Sequence, residues 1–286
     1  MSIEVKELSC IYSPGTAFEK KAIEGISFTI EDGAFVGLIG HTGSGKSTLV
    51  QHLNALLKPT GGQVLLDGED INADKAKLKS VRQRVGLVFQ YPEHQLFEMT
   101  IYKDVAFGPE NLDLPKDEVD VRVREALALV GIPEDLYEKS PFELSGGQKR
   151  RVAIAGVLAM RPKVLIMDEP TAGLDPRGRD EILQKIKEMH EALGVTVILV
   201  SHSMEDVARL VERIIVVNKG KLAMDGTPAV VFSRAKELEE MGLAAPQATY
   251  LLDALREKGF VNLPEGVYTV DAAANAIRTM LEGECK

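Results

Sequence analysis

Short, fully apolar runs recur along this chain, and such runs are typical of strands buried on both faces of a parallel sheet. Near the N-terminus apolar and polar residues instead alternate, as they do in half-buried strands. Together the two patterns predict strands near Ile3–Ile11, Ala22–Ile30, Phe35–Ile39, Gln63–Asp67, Arg84–Phe89, Val164–Met167, Thr196–Val200 and Arg213–Val217. A helix is predicted from Lys46 to about Leu57. Because strands and helices alternate, we expect an α/β fold around a mostly parallel sheet.

Two stretches of the chain have helical rather than strand-like spacing. From about residue 91 to residue 150 apolar positions recur every three or four residues, as in Asp117–Val130, which predicts a helical subdomain inserted into the core. Helices are also predicted near Gln247–Lys258 and Val270–Leu281. We therefore divide the chain into a domain over residues 1–232 and a helical C-terminal region over residues 233–286. That region either packs on its own core or forms a subunit contact, such as a dimerisation element.

Bulk properties narrow the classes of function. The 286 residues carry a net charge of -9, which disfavours a nucleic-acid-binding surface. Apolar runs stay well short of the roughly 18 residues that span a bilayer, so we expect a membrane role only through partners. Acidic residues close to Met1 argue against a signal peptide. The two cysteines, Cys10 and Cys285, are far apart, as expected for a reduced cytosolic protein.

A phosphate-binding loop follows the third predicted strand. Its residues, with the next position, are Gly40, His41, Thr42, Gly43, Ser44, Gly45, Lys46, Ser47 and Thr48. Glycines let backbone N–H groups converge on phosphate oxygens, and the helix that begins at Lys46 adds the positive end of its dipole. Lys46 is expected to reach the β- and γ-phosphates and Ser47 to ligate Mg²⁺, while His41 holds a variable position. The loop predicts a nucleotide with Mg²⁺.

Four polar residues follow other predicted strands. Asp168 and Glu169 end the strand Val164–Met167, where Asp168 can hold Mg²⁺ and Glu169 is the candidate general base for an attacking water. Gln90 follows the strand Arg84–Phe89, and its amide can contact Mg²⁺ or that water. His202 follows the strand Thr196–Val200 and can contact the γ-phosphate. We predict that these side chains meet beside the phosphate loop.

A second anion site is predicted where another helix begins. Ser145, Gly146 and Gly147 open a helix that runs from Gln148 to Leu158. Small residues at a helix N-terminus leave its N–H groups free to bind anions. One chain would therefore contain two phosphate-binding helix starts and one general base.

The phosphate loop, the run Leu144 to Gln148 and the strand ending in Asp168 and Glu169 occur in the order found in ABC ATPases, which this chain resembles. The resemblance implies a P-loop NTPase with a RecA-like core, N-terminal antiparallel strands and an inserted helical subdomain. It also implies that ATP is sandwiched between two protomers, with Ser145, Gly146, Gly147 and Gln148 binding the partner's ATP. Asp175 would lie at the dimer seam. Tyr12, or alternatively Phe18, would stack on adenine.

Longer segments are similar to the ATPases of energy-coupling factor (ECF) transporters, in particular to the second, larger type. The similarity rests on Tyr12–Glu19, Phe89–Glu98, Phe107–Asn111 and Ser145–Met160. It implies a membrane T-component, a substrate-binding S-component and a second ATPase, in a heterodimer or a homodimer. The chain would then be peripheral at the cytoplasmic face of the membrane and support uptake of a vitamin or a transition-metal ion. The alternatives are the ATPase of another ABC transporter class and a soluble ABC ATPase without a transport role.

Glu93 and Glu98 come shortly after Gln90, in the insertion that should face the membrane partner. We hypothesise that both carboxylates meet basic side chains of the T-component. The competing interpretation is a solvated acidic loop.

Overall fold

A computed structural model describes residues 1–260 and 263–284. Its strands are β1 Ile3–Tyr12, β2 Lys20–Ile30, β3 Phe35–Ile39, β4 Gly61–Leu66, β5 Glu69–Asp70, β6 Val85–Val88, β7 Val164–Asp168, β8 Thr196–Val200, β9 Arg213–Asn218 and β10 Lys221–Gly226. Its helices are α1 Lys46–Leu53, α2 Leu78–Arg84, α3 Ile101–Glu110, α4 Lys116–Leu129, α5 Gly146–Leu158, α6 Pro176–Leu193, α7 Met204–Leu210, α8 Pro228–Phe232, α9 Ala235–Glu240, α10 Gln247–Glu257 and α11 Val270–Glu284. All eight predicted strands are confirmed, most of them within one or two residues.

The main sheet has the strand order β10-β9-β3-β8-β7-β6. Strands β3, β6, β7, β8 and β9 run parallel, and β10 pairs antiparallel at one edge. Parallel strands end at the same edge of a sheet, where ligands of open α/β folds bind. This topology places the carboxyl ends of β3, β6, β7 and β8 side by side, and there lie the predicted phosphate loop, Gln90, Asp168, Glu169 and His202.

A smaller antiparallel sheet, in the order β2-β1-β4-β5, covers one face of the main sheet. Side chains of β1, β2, β4 and α1 pack there against one face of β3, β8 and β9. On the opposite face, helices α3 to α7 bury their apolar sides in a second, larger cluster. The predicted α/β core is therefore confirmed, with its parallel sheet buried on both faces.

Helix α1 is shorter than predicted and ends at Leu53 rather than near Leu57. Ala55 has a left-handed backbone with φ of 54°. The N–H groups of Leu56 and Leu57 both donate to the carbonyl of Gln51, which closes the helix in a turn. The apolar residues after Leu53 extended the predicted helix because they fit its period, but they belong to this turn.

The predicted helical insertion contains α3, α4 and α5. Thr100 caps α3 by accepting a hydrogen bond from the N–H of Lys103. Ser145 caps α5, which continues eight residues past the predicted boundary at residue 150. The insertion therefore returns to the core along a continuous helix rather than through a loop.

The C-terminal region contains the two predicted helices, α10 and α11, and the shorter α9, which was not predicted; α8, directly before this region, was not predicted either. Helices α8 and α9 pack on the main core through Phe232 and Leu238, whereas α10 and α11 form a small separate cluster around Leu252 and Met280. The division at residue 232 remains a prediction. Cys10 is buried on β1, and Cys285 lies outside the described residues. None of the described helices has the length and apolar character needed to cross a bilayer.

Candidate active site

The phosphate loop wraps around the side chain of Lys46. The buried Lys46 Nζ donates to the carbonyls of Gly40, at 2.6 Å, and His41, at 3.1 Å. Gly45 has a φ of 111°, and a Cβ there would stand 2.7 Å from the carbonyl oxygen of Ala22. Burial lowers the pKa of Lys46, and the nearby carboxylates of Glu169 and Asp168 oppose this shift. The loop thus holds a partly desolvated cation at the end of the central strand.

A cleft of about 330 Å³ opens on this loop. Its walls are Tyr12, Lys20, Ala22, Thr42, Gly43, Gly45, Lys46, Ser47, Thr48, Gln90, Asp168, Glu169 and His202. The structure thereby brings together Gln90, Asp168, Glu169 and His202, which the sequence analysis placed beside the phosphate loop. Lys20 and Ala22 were missed, because nothing in the sequence shows that β2 passes over the loop. Ser44 belongs to the loop, and its buried Oγ has no hydrogen-bond partner among the residues that the structure describes.

The two carboxyl groups at the end of β7 differ in electrostatics. Burial raises the pKa of Asp168, against the opposing effects of Lys46 and a hydrogen bond with Ser47. Burial also raises the pKa of Glu169, to about 7, and the charge of Asp168 adds to this effect. A carboxyl group whose pKa lies near neutral pH can both accept and return a proton, as a general base requires.

Glu169 is held in an uncommon backbone conformation, with φ of 51°. Its N–H donates to the carbonyl of Val200, and its own carbonyl accepts from the N–H of Ala172. The N–H of His202 lies 3.4 Å from Glu169 Oε2, and His202 Nε2 lies 3.1 Å from Oε1. Burial lowers the pKa of His202, and the charge of Lys46 lowers it further, so both effects favour the neutral imidazole.

The two aromatic candidates for adenine stacking occupy different environments. Tyr12 lines the cleft, is 39% exposed, and places its hydroxyl 3.2 Å from Thr48 Oγ1. Phe18 is 86% exposed and is not part of the cleft wall. The geometry therefore favours Tyr12.

The second anion site is not part of this cleft. Ser145 and Gln148 form a capping box at the start of α5, and no described residue comes within 4 Å of where a Cβ of Gly146 or Gly147 would stand. Asp175 is exposed and caps α6 by accepting a hydrogen bond from the N–H of Gly178. Within one chain these five residues do not meet the phosphate loop.

The hypothesis for Glu93 is wrong in this structure. Glu93 does not face outward to a partner, because its carboxylate pairs with the buried side chain of Arg150. Arg150 was not among the residues predicted to belong to the site. A usable signal was present, since Arg150 lies on the same helical face as the apolar Ile154 and Leu158. Glu98 is partly buried and its partner assignment remains a prediction.

Comparison with known proteins identifies the family. A family model described as ABC transporter matches residues 23–172. The chain is 57% identical to the energy-coupling factor transporter ATP-binding protein EcfA2 of Clostridium tetani, over 96% of this chain and 95% of the relative. It is 48% identical to EcfA2 of Bacillus licheniformis, over 99% of both. The chain belongs to the ATP-binding proteins of energy-coupling factor transporters.

Solved structures agree with this membership of the ECF ATP-binding family. CbiO1 from Clostridium perfringens, described as part of the ABC transporter complex cbiONQ, has 41% identity and a TM-score of 0.75, covering 88% of this chain and 98% of its own. The ATP-binding cassette MJ0796, a dimer bound to ADP and Pi, has 32% identity and a TM-score of 0.70, covering 79% and 98%. The resemblance to ECF ATPases and the P-loop fold are thus confirmed. The chain is an ABC ATPase.

Proposed function

We propose that this chain closes with a second ATPase around ATP and that hydrolysis of the trapped ATP drives uptake through membrane subunits. One observation carries the proposal. The phosphate loop and Glu169 line one cleft, whereas Ser145 to Gln148 lie at the exposed N-terminus of α5 outside that cleft. A second helix start with open space above its glycines suits a phosphate group that arrives on another chain.

In this proposal the phosphate loop binds and orients the triphosphate. Backbone N–H groups from Gly43 to Thr48 surround the phosphates, and Lys46 exchanges its two carbonyl contacts for the β- and γ-phosphates. Tyr12 stacks on the adenine ring. The dipole of α1 supports the negative charge at this end of the cleft.

Glu169 is proposed to orient and deprotonate the attacking water. Its Oε1 is buried and has no hydrogen-bond partner in the described part of the chain, so it can accept a hydrogen bond from water in the cleft. His202 contacts the γ-phosphate and limits the motion of the Glu169 carboxylate. Gln90 contacts the water or the γ-phosphate. Positioning of this kind accounts for most of the catalysis in phosphoryl transfer.

The oxygen donors at the floor of the cleft fit a magnesium ion. Asp168 supplies a partly buried carboxylate, Ser47 a hydroxyl, and Gln90 an amide oxygen. Mg²⁺ prefers such oxygen ligands and commonly takes only one or two from protein when it binds with phosphates. When bound, the ion would neutralise charge on the β- and γ-phosphates.

A second cleft, of about 520 Å³, is the proposed contact with a membrane subunit. Phe89, which directly precedes Gln90, and Phe97 line it, and Phe97 packs edge-on against Phe107 with ring centroids 5.0 Å apart. Phe97, Phe107 and the neighbouring Met99 are exposed. Exposed clusters of aromatic and methionine side chains mark interaction surfaces. The proposed occupant is an amphipathic cytoplasmic helix of the T-component.

A pull-down tests the whole proposal. The Glu169→Gln variant should hydrolyse ATP slowly, so that the closed pair of ATPases is long-lived. The variant is tagged and expressed in its source organism, and the membranes are solubilised in the presence of ATP and Mg²⁺. We expect a second ATPase and small hydrophobic proteins, identified by mass spectrometry, and the S-component would show whether the cargo is a vitamin or a metal ion. Recovery of the chain with non-membrane partners alone would contradict the transport role. The double variant Glu169→Gln with Lys46→Met, unable to bind ATP, controls for nucleotide dependence.

A further inference from the structure

Arg150 is the most buried arginine in the described part of the chain, with 1% of its surface exposed. All three guanidinium nitrogens donate hydrogen bonds. Nε lies 3.0 Å from Glu93 Oε2 and Nη2 2.6 Å from Glu93 Oε1, while Nη1 lies 2.9 Å from the carbonyl of Pro170 and 2.8 Å from that of Ala172. Burial alone would raise the pKa of Glu93, but the hydrogen bonds from Arg150 hold that pKa below its ordinary value.

These contacts join three segments that are distant in sequence. Arg150 itself lies on α5, less than two turns after Ser145, where the partner's ATP is proposed to bind. Glu93 lies three residues after Gln90, in the short 3₁₀ turn Pro92–Gln95. Pro170 and Ala172 directly follow the proposed general base, Glu169. Arg150 therefore links the helix that begins at Ser145 with two loops. One of these loops follows Gln90 and the other follows Glu169.

The two segments that Arg150 holds contain strained residues. Glu169 and Tyr91 have φ values of 51° and 54°. Left-handed backbone at a residue other than glycine costs energy, and it persists only where surrounding contacts fix it. Arg150 supplies such contacts, because the carbonyl of Ala172 accepts from Nη1 while the N–H of Ala172 donates to the carbonyl of Glu169.

The chemistry of the contact requires arginine. A planar guanidinium can engage both oxygens of a carboxylate through two nitrogens and two carbonyls through the third, whereas an ammonium group is a point donor. Removal of either charge would leave its partner buried and unpaired. Hydrophobic packing at residue 150 cannot replace these directional bonds.

We propose that Arg150 is a positioning residue that transmits the position of α5 to the Gln90 segment and to the backbone of Glu169. When the partner's ATP draws in the N-terminus of α5, the guanidinium carries the Pro170–Ala172 loop with it and sets Glu169 for reaction. This inference rests on the proposed function. The ATP cleft contains neither Arg150 nor Glu93, so ATP binding by the phosphate loop should not need them.

The test uses the full chain co-expressed with its partner subunits and compares Arg150→Met, Arg150→Lys and Glu93→Gln. The matched control is Arg124→Gln, which removes another arginine–carboxylate pair of the helical insertion, with Asp120, that is exposed. For each protein we would measure the affinity for a fluorescent ATP analogue, kcat per ATP-binding site, and hydrogen exchange of the Ala172 and Leu174 amides.

We expect ATP affinity within about threefold of wild type, and kcat lower by about 10- to 100-fold in Arg150→Met, the range seen when reacting groups are misplaced by about an ångström. Exchange at Ala172 and Leu174 should accelerate. Arg150→Lys should fall between wild type and Arg150→Met, because it retains the charge but not the fork of donors. Arg124→Gln should match wild type in all three measurements.

The proposal would be overturned if kcat and amide hydrogen exchange were unchanged in Arg150→Met, Arg150→Lys and Glu93→Gln. It would also be overturned if these variants lost ATP affinity by the same factor as kcat. Should Arg150→Met fail to fold, Arg150→Lys and Glu93→Gln still decide. Glu169→Gln, assayed in parallel, separates the two levels of inference. If Glu169→Gln is inactive and the Arg150 variants are active, only the role of Arg150 fails. If Glu169→Gln hydrolyses ATP normally, the proposed role of Glu169 itself fails.

Discussion

Glu169 Oε1 and His202 Nε2 lie 3.1 Å apart, yet Oε1 has no hydrogen-bond partner within residues 1–260 and 263–284. The carboxylate is therefore close to the imidazole without being neutralised by it. This explains why burial dominates and raises the pKa of Glu169 to about 7. At higher pH the ionised Glu169 carboxylate destabilises the nucleotide-free fold. The same lack of a partner leaves Oε1 free to accept a hydrogen bond from water.

Glu169→Gln should therefore stabilise the nucleotide-free protein above neutral pH. A carboxyl group whose folded pKa is raised, here to about 7 from 4.5, stabilises the fold at pH values below 4.5. That stabilisation is lost as pH rises through 7. Relative to wild type, Glu169→Gln should gain stability from pH 5 to pH 8, by up to about 3 kcal/mol.

Urea unfolding of both proteins in EDTA, without nucleotide, measures this difference across the pH range. Glu191→Gln, at an exposed carboxylate on α6, serves as the control and should show no comparable trend. A difference between Glu169→Gln and wild type that stays constant from pH 5 to pH 8 would contradict the raised pKa.

Gly147 is the basis of a second prediction, because nothing in the structure of a single chain requires glycine at this position. Its φ is not in the left-handed region, and a Cβ would meet no atom of the described residues within 4 Å. Gly147→Ala should leave the monomer as stable as wild type or stabilise it by about 0.5 kcal/mol, since alanine loses less entropy in a helix. ATP-driven dimerisation of Glu169→Gln should nevertheless weaken when Gly147→Ala is added.

Thermal unfolding of the monomer and gel filtration with ATP measure the two effects. Gly45→Ala is the contrasting variant, because its Cβ would meet the Ala22 carbonyl at 2.7 Å and its φ is 111°. It should destabilise the single chain and weaken nucleotide binding. Normal dimerisation of Gly147→Ala would argue against a phosphate from the partner site at this helix start.

The sequence predicted those parts of the site that local pattern determines. Asp168 could be placed because it ends an apolar strand, and Lys46 because glycines and a helix start surround it. The pairing of Arg150 with Glu93 could not be predicted in the same way, because the residues are 57 positions apart and the contact depends on how α5 packs. Helix α8 was missed although Thr227 and Pro228 form a recognisable N-terminal cap.

Asp206 is the basis of a third prediction. It is 1% exposed and accepts hydrogen bonds from Arg179 Nε at 2.9 Å and from Nη2 at 2.6 Å, while Arg179 also contacts Ser203, next to His202. Asp206→Asn should destabilise the fold by about 3 kcal/mol, because it leaves arginine beside a buried neutral group. Asp120→Asn, at the exposed pair with Arg124, should cost less than about 1 kcal/mol.

Urea unfolding at pH 7 gives both values. We also expect Asp206→Asn to lower kcat per ATP-binding site, since Ser203 and Arg179 fix the loop that contains His202. Equal destabilisation by Asp206→Asn and Asp120→Asn would show that burial does not strengthen the Arg179 contact.

Replacement of Tyr12 should weaken ATP binding much more than replacement of Phe18. Tyr12 lines the cleft, whereas Phe18 is 86% exposed outside its wall. Stacking of a base on an aromatic ring contributes about 1–3 kcal/mol, so Tyr12→Ala should raise the Kd for ATP by about tenfold and Phe18→Ala by less than about twofold. Tyr12→Phe removes only the hydroxyl contact with Thr48 and should bind nearly as wild type. Fluorescence titration measures all three, and a larger effect at Phe18 would move the adenine contact to that loop.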